Sequence, residues 1–149
     1  MSTEENKALI RRYLDETWNK GNVNVLDEIC AQDYLADSGG TLPQVKEYVL
    51  EFRKAVPDFR LHIEEMVAEG DTVATRWRWT GTNAEPASNP KLGQMPPVGK
   101  AFSVAGITFN HVANGKIISD IYVTHWTDMK IEMGINPMLP KNRLDIGWN

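Results

Sequence analysis

Cysteine is nearly absent from this sequence. Its one cysteine, Cys30, has no partner for an internal disulfide and cannot build a cysteine-based zinc site. Histidine is almost as scarce. His62, His111 and His125 show neither HxxxH nor HxH spacing, which argues against a histidine metal centre. No apolar run approaches the ~20 residues that a bilayer-spanning helix needs. The opening MSTEENKALIRRY is charged from residue 4 and has no apolar signal core. Excess positive charge is missing too: 16 Lys and Arg against 20 Asp and Glu leave a net charge of -4, with no basic cluster to attract a phosphate backbone. GxSxG, GxGxxG and P-loop signatures are all missing. The expectation is a soluble, cytoplasmic protein with no metal, no cofactor, no membrane and no nucleic-acid partner.

What remains is ordinary globular stock. At 149 residues, 42% hydrophobic and 24% charged, the chain is long enough for one domain with a proper core. Ser2 and Glu5 form a candidate capping box, and Leu9, Ile10, Tyr13, Leu14, Thr17 and Trp18 then recur on one helical face. Gly21 stops that helix. A short second helix carries Val25, Leu26, Ile29 and Cys30, and residues 33–43 read as turn. Thr41 and Gln44 box a third helix that buries Val45, Tyr48, Val49 and Phe52.

From Phe59 the period changes to two. Phe59, Leu61, Ile63 and Val67 share one strand face, followed by a hairpin turn at Glu69-Gly70-Asp71 and an alternation of Val73, Thr75, Trp77 and Trp79. Residues 83–100 read as a long loop with half of the prolines, and Met95, Pro96, Pro97 and Val98 are candidates to close over a pocket mouth. Phe102 to Val112 is apolar on both faces, so both are expected to be covered, one of them by a second subunit in a homodimer through the sheet. Asn114-Gly115 marks a tight turn into a last strand, Lys116 to Trp126, and a short helix ending near Gly134. Three helices and at least four antiparallel strands make an α+β domain, a curved sheet whose concave face carries the helices and whose incomplete filling leaves a pocket. The domain is expected over 1–137, with 138–149 an irregular tail in which Trp148 suggests docking onto a neighbour.

The segments NKALIRRYLDETWNKGN, LDEICAQDY, VAEGDTVATRWRWTGT, PPVGKAF and GITFNHVANGKI resemble the SnoaL-like polyketide cyclase family of the NTF2-like superfamily, over residues 5–137. The resemblance implies a cone-shaped cavity for a bulky carbonyl compound. It implies ring closure by intramolecular aldol condensation, without metal or cofactor, with an acidic side chain late on the last strand as general acid/base. Aligned without a gap from Gly115-Lys116-Ile117, the family's aspartate position holds His125, and the preceding tryptophan is Thr124. In the run Asp33-Tyr34-Leu35-Ala36-Asp37, Asp37 occupies the place of the family's histidine; Gly81-Thr82-Asn83 replaces its GTH.

The expectation is therefore a traded pair, with His125 as the base and Asp37 orienting it. Parity along the last strand puts Ile117, Ile121, Val123 and His125 inward and Asp120 on the outer face. An inward imidazole suits proton removal beside a carbonyl; the alternative is a buried histidine bonded to a backbone carbonyl, and for Asp37 a plain turn former. Tyr13, Trp18, Tyr34, Tyr48, Phe52, Trp77 and Trp79 are the candidate substrate-binding side chains, with core packing as their alternative. Tyr13 or Tyr34 could donate to a substrate enolate oxygen. Isomerisation or dehydration is the neighbouring chemistry. A ligand-binding protein without turnover is the other functional reading, because the expected aspartate is missing. An epoxide-hydrolase reading would need an inward Asp–Arg–Asp set that the strand faces do not supply.

Overall fold

Ser2 opens the first helix because its hydroxyl accepts the Glu5 amide proton while the Glu5 carboxylate accepts that of Ser2. Helix α1 (Thr3–Arg12) then runs directly into a π-helical stretch, Tyr13–Asn19. A 3-10 turn, Val23–Val25, leads to the short α2 (Leu26–Ile29). Helix α3 (Leu42–Ala55) starts at the expected Thr41–Gln44 box with Pro43 in its first turn, where a missing N–H costs nothing. The computed structural model describes residues 1–37, 39–84 and 98–125. The expectations placed on residues 95–97, on a helix ending near Gly134 and on the tail with Trp148 lie outside the described residues.

Among the described residues five strands form one curved sheet: β1 (Cys30–Ala36), β2 (Arg60–Glu69), β3 (Thr72–Thr82), β4 (Ala101–Ala113) and β5 (Lys116–Thr124). Their order is β1-β5-β4-β3-β2. Strands β2 to β5 pair antiparallel, and β1 joins the edge parallel to β5. Asn114 (φ 51°) and Gly115 (φ 72°) give the β4–β5 turn the two left-handed residues that an Asn-Gly hairpin uses. The first strand corrects the reading of residues 33–43 as turn. CAQDYLA has little intrinsic strand preference, and its pairing with β5 overrides that.

Two bulges decide which side chains enter the cone. In β2 the pairing passes from Ile63↔Trp77 to Glu65↔Arg76, leaving Glu64 as the extra residue. Met66 and Ala68 therefore pack inward and Val67 is exposed, opposite to its expected face. In β5 the pairing passes from Val112↔Ile117 to His111↔Ser119, leaving Ile118 extra. Beyond that point the inward set is Asp120, Tyr122 and Thr124, while Ile121 and Val123 point out.

Among the described residues the helices cover the concave face. Ile10, Leu26, Val49 and Phe52 meet Val73, Val104 and Ile117 in a solvent-free core. On the convex face Ile107, Phe109, Ile121 and Val123 are exposed, paired directly as Ile107↔Val123 and Phe109↔Ile121. Among the described residues, then, one face of β4 is covered and the other is exposed. Among the described residues no helix is long and apolar enough to cross a membrane.

Candidate active site

The concave face of the sheet is ordered in rows by strand register. Trp77, Gly106 and Thr124 share one row; Thr75, Thr108 and Tyr122 share the next; Val73, Asn110 and Asp120 the third. Gly106 is the position that lets Trp77 lie flat. A Cβ there would collide with the Trp77 six-membered ring and with the Val123 carbonyl. The indole Nε1 donates to Thr108 Oγ1 at 2.8 Å, which fixes the ring across β4. Trp79 stacks on Trp77 with centroids 4.8 Å apart and planes 23° from parallel, and Trp18 closes on Trp79 at 5.1 Å.

The helical wall is set by the π-helical stretch, which buries Tyr13, Leu14, Thr17 and Trp18 together. Its i→i+5 bonding, continued by the Lys20 amide to the Asp15 carbonyl at 3.0 Å, brings Tyr13 and Trp18 onto one side. Between wall and sheet is a cavity of about 410 Å³. Tyr13, Trp18, Tyr34, Tyr48, Trp77 and Trp79 all line it. Phe52 does not: it is fully buried behind them, edge-on to Trp18 at 6.2 Å and tilted against Trp79 at 5.2 Å. Exposed Gln44 and Tyr122 mark the mouth.

Among the described residues, one carboxylate lines this aromatic chamber, and it is Asp120. The residue is 7% exposed and lines the cavity. Tyr34 Oη donates to Oδ2 at 2.9 Å, and the Asp37 backbone amide donates to Oδ1 at 3.3 Å. Desolvation raises the Asp120 pKa above the ordinary carboxylate value; the Tyr34 and Asp37 hydrogen bonds pull the other way, and the nearby Asp37 charge adds to the rise. Burial also raises the Tyr13 and Tyr34 phenols, with Asp120 reinforcing both, and lifts Tyr48 to about 12. The Cys30 thiol, buried at the start of β1, is pushed up to about 12 and stays protonated. Among the described residues no three His, Cys, Asp or Glu side chains converge as a metal-ligand set.

The expected His125–Asp37 pair is not assembled this way. His125 is exposed and does not line the cavity; its amide donates to the Ala105 carbonyl at 2.9 Å, prolonging the β4–β5 ladder with Thr124 inward and the imidazole on the other side. Asp37 is exposed as well and meets the site through its backbone N–H. The bulge at Ile118 is the cause, since one extra residue exchanges the faces of everything after it. Asp120, assigned to the outer face by simple alternation, is the residue that reasoning missed. The only local hint was its place three residues past Ile117, one step out of phase with the apolar set. His62 and His111 bond across strands to Thr80 at 3.2 Å and Thr72 at 3.3 Å, outside the cavity.

A cone of helices on a curved sheet, holding an aromatic cavity with a buried acid on its last strand, defines a small α+β domain of the NTF2-like type. Residues 8–129 match the model of the SnoaL-like polyketide cyclases, and the chain belongs to that family. Solved structures agree on the fold. A candidate polyketide cyclase from Acidithiobacillus ferrooxidans is 23% identical, with 90% of this chain and 98% of that one covered at a TM-score of 0.73. TsrD from Streptomyces laurentii is 18% identical, covering 91% and 98% at 0.77. AclR from Streptomyces galilaeus, described as a candidate hydroxylase, is 22% identical, covering 99% and 96% at 0.75. At these identities the likeness is one of fold. None of the curated proteins compared matches the chain.

Proposed function

We propose that this protein is a cofactor-free cyclase that closes a ring in a hydrophobic carbonyl compound, with Asp120 as its general acid/base. The observation that carries the reading is a buried carboxyl set among aromatic rings in a cavity of about 410 Å³, held at both oxygens by Tyr34 and the Asp37 amide. Desolvation makes that carboxylate a stronger base than one in water, while the two donors keep its ionised form accessible. In the reaction the carboxylate takes a proton from the carbon beside a carbonyl. The enolate carbon attacks a second carbonyl, and the resulting alkoxide takes the proton back from Asp120. In this reading the stacked Trp77 and Trp79 hold a planar substrate by its face, and Tyr13, which lines the helical wall, donates to the enolate oxygen. Isomerisation and dehydration share the first step.

The test is a panel of polyketide-type ketones and esters assayed with Asp120→Asn and His125→Ala. Asp120→Asn is expected to lose at least ~100-fold in turnover while still binding, and His125→Ala to keep its rate. Undiminished turnover by Asp120→Asn overturns the assignment. One observation favours a second reading, a binding protein without turnover: both Asp120 oxygens already carry a donor in the free protein. Binding across the panel with no product from the native protein would decide for it. We also propose that a second copy of the chain covers the apolar pairs on the convex face.

A further inference from the structure

Beside the acid lies a polar group that the reaction as described does not use. Asn110 is on β4, directly across the ladder from Asp120, and its side chain is 0% exposed. Neither its Nδ2 nor its Oδ1 has a hydrogen-bond partner. Thr75, also 0% exposed, is in the neighbouring row on β3 opposite Thr108, and its Oγ1 is unpartnered as well. Three orphaned polar atoms thus sit on one patch of the concave face, the two of Asn110 one strand from the carboxyl and that of Thr75 two strands away. An amide buried without a partner is costly, and such groups in folded proteins are met by ordered water, which bonds to about three of them at once. A directly opposed strand pair has its Cβ atoms about 5 Å apart, so one water spans from an asparagine amide to the carboxyl facing it.

We propose that Asn110 is a positioning residue for Asp120, its amide and the Thr75 hydroxyl holding ordered water that donates a third hydrogen bond to the carboxylate. The positioning role rests on the catalytic reading of Asp120 given above; the coupling of the two side chains does not. Tyr34 from β1 and the Asp37 amide approach the carboxyl from the edge of the sheet, leaving the β4 side to Asn110. The other titratable groups facing Asp120 are Tyr13 on the helical wall, Cys30 at the start of β1 and the Asp37 carboxylate, none of them a cation. A bound water on this side therefore supplies ionised Asp120 with a donor that the apolar chamber lacks. An amide is suited to the place because it donates from one end and accepts at the other, so water of either orientation is satisfied.

The experiment reads Asp120 itself, by carbon NMR of its carboxyl through a pH titration. The isosteric pair Asn110→Val and Asn110→Thr separates hydrogen bonding from shape. The Asp120 midpoint is expected to rise by about half a unit or more in Asn110→Val and to return toward the native value in Asn110→Thr, whose hydroxyl restores a polar partner. In the unaltered protein, the Asn110 side-chain amide protons are expected to show a magnetisation-transfer cross-peak to a long-lived water. Equal midpoints in the two variants, or a native amide with no such water, overturn the proposal. Turnover is scored separately. If Asp120→Asn keeps its activity while the midpoints move as stated, the catalytic reading fails and the coupling stands; if Asp120→Asn is dead and the midpoints are equal, the reverse holds.

Discussion

Tyr34 Oη and Asp120 Oδ2 are 2.9 Å apart although 86 residues separate them in the chain. The contact exists because β1 lies parallel to β5 with Ala36 paired to Asp120, which brings the inward Tyr34 of one strand beside the inward acid of the other. It ties the edge strand to the proposed acid/base: the phenol stabilises the carboxylate against the desolvation that the aromatic chamber imposes.

Tyr34→Phe removes that donor and leaves the ring. The acid limb of the pH–rate profile is therefore expected to move to higher pH, because Asp120 loses one of the two bonds that lower its pKa. Turnover at neutral pH is expected to fall by roughly tenfold, within the range of a single acid–base contribution. A profile identical to that of the native protein would remove Tyr34 from the mechanism.

The same burial predicts a pH dependence of stability. Asp120 has a folded pKa above its unfolded value, so folding is favoured by protonation: its contribution is fully present below the unfolded pKa and is lost as pH rises through the folded one. Asp120→Asn, which never ionises, is expected to gain on the native protein in Tm as pH is raised from about 4 to about 8. Melting curves at a series of pH values check this, and a gap that stays constant or narrows counts against a buried, destabilised carboxylate.

Much of this architecture was legible in the residues. Both capping boxes, the Asn-Gly turn and the alternation of Val73, Thr75, Trp77 and Trp79 are local signals, and the structure carries each of them where its residues put it. The cavity wall was legible for a related reason, since large aromatics in a small α+β domain have one interior to fill. What could not be read were the features set by pairing. A bulge leaves no mark in its own strand: ISDIYVTH alternates equally well with either face inward until β4 fixes the partner of each residue. The exchange of His125 for Asp120 follows from that one added residue. The parallel β1 was hidden likewise, because CAQDYLA becomes a strand through the edge it docks on.

Gly106→Ala tests the geometry of the cavity floor. The added methyl meets the Trp77 ring and the Val123 carbonyl, and backbone on one side leaves the indole as the group that must move. The expected cost is about 1–3 kcal/mol in denaturant unfolding, as for other overpacked sites. Displacement of Trp77 also breaks its bond to Thr108, so the tryptophan emission should shift. An unchanged midpoint with unchanged emission would mean that the floor is not packed as described.

The convex face supplies the last test. Ile107 and Val123 are directly opposed across β4 and β5, as are Phe109 and Ile121, so four apolar side chains form one block exposed to water. Scattered apolar residues need no explanation, but a contiguous block on a twisted sheet is what a two-fold partner of the same shape would cover. Arg76 and Arg78 on β3, with Glu64 and Glu65 on β2, form an ion-paired rim beside it. Phe109→Glu puts a charge at the centre of the block, where burial against a second copy would leave it unpaired. Sedimentation equilibrium is expected to show a dimer for the native chain and, for the variant, a dissociation constant raised more than about 30-fold, the effect of one central contact. Because residue 109 is exposed in the single chain, the variant should keep its fold and its cavity, with a stability change within about 0.5 kcal/mol. A native chain that sediments as a monomer at all concentrations, with Phe109→Glu indistinguishable from it, would leave the block without a second copy to cover it.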